Sequence, residues 1–185
     1  KAISVFKANE IKEKQKRIKN SILKTKELDS IGISLTMSSG YKLFKKENNN
    51  KFWFQRETQK GSVNLLIYTL PLYKKNPNLE SIIALRDSIG KAFVPGRNKD
   101  SYLITEKAYE PYFFKTKVSS LNTFETRGTW EVVNDYMAGP FLNYYIKDLK
   151  NNRTIVIEGF VFSPSVRKRE YLVELEAIVR SLKVF

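Results

Sequence analysis

The stretch Phe124-Glu125-Thr126-Arg127-Gly128-Thr129-Trp130-Glu131-Val132-Val133-Asn134-Asp135-Tyr136-Met137-Ala138-Gly139-Pro140-Phe141 decides how this chain is read. Alternation puts Phe124, Gly128, Trp130 and Val132 on one face and Glu125, Arg127, Thr129 and Glu131 on the other, the period of a β-strand. The polar row is expected to make ion pairs on a solvated sheet surface. Gly128 beside Trp130 implies a bulge or a neighbouring ring lying over the glycine. Asp135 to Pro140 reads as a turn into a second aromatic strand. The functional alternative for this region is a recognition groove lined by Trp130, Tyr136 and Arg127, with Asp135 in the adjoining turn.

Working outward, Lys51–Glu57 alternates Phe52 and Phe54 against Trp53 and Gln55. Val63–Leu70 is apolar on both faces, as a central, doubly covered strand would be. The short Lys60-Gly61-Ser62 loop joins the two as an antiparallel hairpin. Tyr102–Lys107, Tyr112–Val118 and a hairpin of Phe141–Lys147 with Thr154–Phe162 add further strands. Helices are expected at Asn9–Asp29, where Asn9 would be the cap and Ile11, Ile18 and Ile22 a narrow apolar stripe, and after Asn76-Pro77, with Leu79, Ile82, Ile83, Ile89 and Phe93 on one face. A last helix carries Tyr171, Leu175, Ile178, Val179 and Leu182. The sum is an α+β fold: a largely antiparallel sheet of about six to seven strands flanked by amphipathic helices. Residues 1–185 read as one domain, of which 1–30 is a basic N-terminal helix region. Lys1 reads as the start of a fragment, with any targeting segment upstream.

Composition narrows the chemistry. The 185 residues contain no Cys and no His. Ser-His-Asp and Cys-His catalysis are therefore impossible, and zinc, haem and iron–sulfur sites lose their usual ligands. No cofactor, metal site or catalytic residue is expected. No apolar run approaches the roughly 20 residues needed to span a bilayer as a helix. The formal net charge is +14, with Lys12, Lys14, Lys16, Arg17, Lys19, Lys24 and Lys26 crowded early and Arg167, Lys168 and Arg169 before the last helix. Such a balance suits either a solvated Lys-rich surface or an anionic partner.

Arg86 carries the sharpest single expectation. It sits at the centre of the apolar stripe of its helix, together with Gly90. A charge facing the sheet there must be paired. Glu158 is the natural partner, because it shares a strand face with Val156 and Phe160; Glu57 and Asp135 are the alternatives. Two readings stay open: a structural ion pair, or a clamp for a ligand carboxylate or phosphate with Gly90 leaving room for the ligand.

Several runs together carry a family resemblance: Phe52-Trp53-Phe54-Gln55-Arg56-Glu57-Thr58, Gly61-Ser62, Leu66-Ile67-Tyr68, Arg86-Asp87-Ser88, Val94-Pro95-Gly96, Arg127-Gly128-Thr129-Trp130, Asn134 to Phe141 and Glu158-Gly159-Phe160-Val161. From Tyr41 onward the chain resembles the bacterial domain of unknown function 4837. That resemblance implies a membrane-anchored envelope lipoprotein of Bacteroidetes, of which this chain would be the C-terminal half. A looser similarity is to the Mog1/PsbP-like sandwich. The implied function is a non-enzymatic envelope binding or scaffold domain, whose partner would be anionic lipid, polysaccharide or another envelope protein. Binding candidates are Arg86, Arg127, Trp130, Asp135, Tyr136 and Glu158. The alternatives are nucleic-acid binding through the Lys-rich first helix, against which an envelope location counts, and a carboxylate-dependent hydrolase.

Overall fold

A computed structural model describes residues 2–23 and 25–185; Lys24 of the early basic cluster lies outside them. The chain runs α1 (Ala2–Lys19), α2 (Lys26–Asp29), β1 (Ile33–Ser34), β2 (Lys42–Glu47), β3 (Lys51–Thr58), β4 (Gly61–Pro71), α3 (Leu79–Phe93), β5 (Leu103–Thr105), β6 (Tyr112–Val118), β7 (Leu121–Val132), β8 (Ala138–Asp148), β9 (Arg153–Phe162), α4 (Arg169–Val179) and β10 (Lys183–Val184). The fold is α+β. Its main sheet has eight strands in the order β2-β3-β4-β9-β8-β7-β5, with β6 also paired to β7. All of these pairings are antiparallel. The strand beyond the expected six to seven is β2, paired to β3, and β7 is long enough to serve two partners, β6 along Leu121–Arg127 and β5 along Trp130–Val132.

Turn chemistry sets the register. Asn48 and Asn49 adopt φ of 49° and 53° between β2 and β3, a left-handed conformation that Asn tolerates better than most side chains. β4 lies between β3 and β9 and is buried on both faces from Ser62 to Tyr68. The turn after β7 is shorter than the sequence pattern suggests. Ala138, Gly139 and Pro140 already belong to β8, paired with Glu131, Trp130 and Thr129. Proline is tolerated there because β8 meets β9 only from Phe141 onward, so no ladder donor is lost on that side.

Helices cover the two faces unequally. One face carries α4, with α1 and α2 behind and beside it, around a core that includes Phe52, Phe54, Leu65, Ile67, Leu142, Ile157, Leu175 and Ile178. The other face carries α3 alone. The expected first helix is corrected by the structure: α1 starts at Ala2, so Asn9 is interior rather than a cap, and it ends at Lys19. Ile11 and Ile18 do pack on the core, but Ile22 is exposed and bridges to Ser38. Three ion pairs tie α1 to α4 (Lys7–Glu176, Lys14–Glu170 and Glu10–Arg169), so part of the early basic cluster is already matched by acids.

Candidate functional site

The face under α3 holds the polar residues that a sheet would normally exclude. α3 begins at a capping box in which the Asn78 side chain accepts from the Ser81 backbone N–H and Ser81 Oγ accepts from the Asn78 N–H, a favourable arrangement for an N-terminus. Pro77 stands just before that cap rather than in the first turn. The helix buries Ile82, Arg86, Gly90 and Phe93 against the strands.

Arg86 and Glu158, each 2% exposed, meet at the centre, with Nη2 2.9 Å from Oε1. Nη1 donates to Thr105 Oγ1 at 2.9 Å, and Thr105 donates through both its backbone N–H and its hydroxyl to Asp87 Oδ1, each at 2.7 Å. Asn143 Nδ2 donates to Glu158 Oε2 at 3.0 Å. The guanidinium carbon lies 3.8 Å from the centroid of the Phe141 ring, a cation–π contact in a water-poor setting. Burial pushes the Glu158 carboxyl above its ordinary value despite Arg86 and Asn143, which pull the other way. Arg86 Nε and Asn143 Oδ1 are buried without hydrogen-bond partners.

The two glycines near this centre act by close approach. A Cβ on Gly128 would lie 2.8 Å from the Phe141 ring. The ring-over-glycine expectation therefore holds, and Gly128 leaves room for the Phe141 ring that Arg86 contacts. The ladder at Gly128 runs on in unbroken register. Gly90 leaves no room for a ligand, contrary to expectation: its Cβ would collide with the Leu103 backbone carbonyl, because β5 packs directly on the helix.

Beyond the C-terminal end of α3 is a cavity of about 190 Å³, walled by Trp53, Trp130, Phe160 and Phe162 and rimmed by Pro95 and Arg97. Trp53 and Trp130 both pack on Phe160, at centroid separations of 6.0 and 5.7 Å. Its polar lining is a hydrogen-bonded row. Trp53 Nε1 and Gln55 Nε2 both donate to Asn64 Oδ1 at 3.0 Å, and Asn64 Nδ2 donates to Ser62 Oγ at 3.0 Å. The Trp130 indole N–H is buried without a partner. At the rim Arg97 grips Asp135 through two hydrogen bonds of 3.0 and 2.8 Å, and Arg97 holds the Asp135 carboxyl below its ordinary value.

The groove expected from Trp130, Tyr136 and Arg127 does not form. Trp130 is buried on the α3 face, whereas Tyr136 stands fully exposed in the β7–β8 turn. Arg127, an odd number of residues from Trp130 along the strand, points to the α4 face. There it binds Glu125 Oε1 and Glu176 Oε2 at 2.6 and 2.7 Å. Glu125 also accepts from Tyr144 at 3.0 Å and is itself buried. The polar row of β7 is therefore not a solvated surface but a charge network under α4. Burial, followed by the charges of Glu125 and Glu176, pushes the Tyr144 phenol well up. Of the six binding candidates, the structure thus unites Arg86 with Glu158, puts Trp130 in the cavity wall and Asp135 at its rim, and sets Arg127 and Tyr136 apart. Asn64, Trp53 and Phe160 were missed as a group. The available signal was Asn64, a lone amide in the apolar run of β4.

A family model described as Domain of unknown function (DUF4837) matches residues 19–181. Among solved structures the chain is similar to a point mutant of Protein Mog1 and to the Saccharomyces cerevisiae Ran-binding protein Mog1p. Each shows 10% identity and a TM-score of 0.48, over 83% of this chain and 90% of the other. No curated protein matches.

Proposed function

The chain belongs to the family of the domain of unknown function DUF4837, and from that premise we propose that it is a non-enzymatic binding domain of the bacterial cell envelope that takes a polysaccharide end or branch in the cavity beside α3. The observation that carries this reading is the lining of that cavity. Two indoles and two phenyl rings supply flat apolar walls, and the Ser62–Asn64–Gln55 row supplies amide and hydroxyl groups of fixed orientation. A sugar ring has the matching character, with C–H faces for the aromatic rings and hydroxyls for the amides. The volume of about 190 Å³ suits one ring rather than a long segment. The envelope location is supported by the lipoprotein-like resemblance of the motifs from Tyr41 onward. The lack of His and Cys favours binding over catalysis.

Trp53 and Trp130 make the test direct. Titration with N-acetylglucosamine, maltose and soluble envelope polysaccharide, followed by tryptophan fluorescence, is expected to give a saturable change that Gln55→Ala weakens by about tenfold, the effect of losing one well-made hydrogen bond to a ligand. A response that is absent for all three, or equal in the variant, overturns the assignment. Expression from the full gene followed by cell fractionation tests the location, and recovery in the cytosol removes the envelope half of the proposal.

A further inference from the structure

The opposite end of α3 carries a second site, built around a lysine. Lys147 lies near the end of β8, on the α3 side of the sheet, and is only 8% exposed. Its Nζ donates to the Lys74 carbonyl oxygen at 3.0 Å and to Asn76 Oδ1 at 3.1 Å. Both acceptors are neutral. The neighbouring Asp148 is turned to Arg153, 2.7 Å away, and among the described residues no carboxylate comes within ion-pairing distance of Lys147. An ammonium has three N–H donors, so one has no protein acceptor, and a buried charge without a counter-charge is strongly unfavourable. Nearly every other buried charge of this chain is paired: Arg86 with Glu158, Glu125 and Glu176 with Arg127, Asp148 with Arg153. Lys147 departs from that rule.

A cavity of about 270 Å³ adjoins it, lined by Lys115, Thr116, Asn122, Thr123 and Asn76 as well as Lys147. The lining holds two cations and several hydroxyl or amide groups, and no acid. Asn76 is shared with a neighbouring cavity of about 470 Å³ whose walls include Tyr73, Pro77, Ile82, Leu85 and Tyr145. One compartment is cationic and the next is largely apolar, and they meet at a single side chain. We propose that Lys147 and Lys115 bind the phosphoryl group of a phosphomonoester, with Asn76 at the junction and the ester's apolar part in the Tyr73–Leu85 compartment. The bound phosphate supplies the counter-charge that Lys147 lacks, through charge-assisted hydrogen bonds. The same chemistry is offered by a soluble phosphomonoester and by the headgroup of phosphatidic acid.

Two arms distinguish these sources. In the first, phenyl phosphate is titrated into the protein by calorimetry at constant ionic strength, with sodium chloride as the control. In the second, the protein is floated with phosphatidylcholine vesicles with and without phosphatidic acid. Lys147→Met keeps the length of the side chain and removes its charge, and is expected to weaken binding in the responding arm by about tenfold or more, the effect of a lost charge-assisted hydrogen bond. The exposed Lys115→Ala acts on the same phosphate without a folding risk and is expected to weaken it by several-fold. Binding of phenyl phosphate identifies a soluble ligand, and response to vesicles alone identifies a lipid headgroup. Absence of binding in both arms overturns the proposal, as does binding that is equal in the parent and both variants or is reproduced by chloride.

Discussion

Arg86→Met breaks the central ion pair from the helix side. The change leaves Glu158 buried at 2% exposure with Asn143 as its remaining hydrogen-bond partner. Deleting one member of a buried pair costs about 3–5 kcal/mol when the survivor stays charged. Glu158 has an escape, because burial already holds its carboxyl above the ordinary value, and without Arg86 the value rises further. Once it takes a proton, the penalty falls to that of an imperfectly bonded neutral group, about 1–3 kcal/mol. The sign of the pH dependence follows. An acid whose folded-state pKa exceeds its unfolded value is most favourable to folding below that unfolded value, and the advantage is lost as pH rises through the folded one. Arg86→Met should therefore be costlier near pH 8 than near pH 5. Trp53 and Trp130 report unfolding in urea; at a slope of about 2 kcal/mol per molar, the midpoint should fall by about 1.5–2.5 M at the higher pH. Adding Glu158→Leu removes the stranded acid and should restore much of the loss. A midpoint within about 0.3 M of the parent near pH 8, or a penalty that grows toward acid, would refute the reasoning.

Gly90→Ala drives a methyl group into the Leu103 carbonyl of β5, which the ladder to β7 holds in place. Overpacking of this kind costs about 1–3 kcal/mol, readable as a lower melting temperature, and an unchanged melting temperature would show that α3 and β5 are free to separate. Acid should destabilise the chain through Glu176 and Asp148. Burial opposes their ionisation, but Arg127 and Lys7 hold Glu176 below its ordinary 4.5, and Asn151 and Arg153 hold Asp148 below 3.8. Depressed carboxyls stabilise above their unfolded values and lose that contribution as pH falls through the folded ones. Urea midpoints measured downward from about pH 6 should therefore drop below about pH 4.5, and a flat profile would remove these groups from the stability of the fold.

Period-2 alternation reveals β3 and β7, whereas β4 is legible as a run apolar on both faces, because it lies inside the sheet with both sides covered. The Arg86–Glu158 pair was legible as well: a charge in the middle of an apolar stripe demands a partner on the facing strand. What alternation cannot show is what covers each face. Glu125 and Arg127 look like a solvated row until α4 arrives from more than forty residues away with Glu176. The α1 boundary was misjudged because Lys and Glu carry helix propensity without marking an end. Tyr136 follows Asn134-Asp135 in a turn, and nothing local to a turn says whether its side chain folds back. The cavities beside α3 are illegible in the sequence because they lie where a helix stops, and that depends on how far α3 reaches across the sheet.

Reach explains why there are cavities at both ends of α3. Strands about 4.8 Å apart, seven abreast because β5 and β6 share one edge of β7, make a sheet roughly 29 Å wide, whereas the 15 residues of α3 give a rod about 22 Å long and about 10 Å across. On the α4 face three helices share the covering. On the other face one helix does it, so apolar floor is left at each end and must be closed by loops or by a ligand. The chain floors those ends with polar groups set among aromatics, Asn64 beyond the C-terminus of α3 and Lys147 beyond its N-terminus. Between them stands the Arg86–Glu158 pair, which bonds to Thr105 and Asn143 and lies against Phe141, with Arg86 Nε left without a partner. The Trp130 indole N–H, which has no partner, and the Lys147 ammonium, which has no counter-charge, lie at the two ends, where the helix does not cover them. Both proposed sites therefore lie at the ends of α3 rather than at the charged pair at its centre.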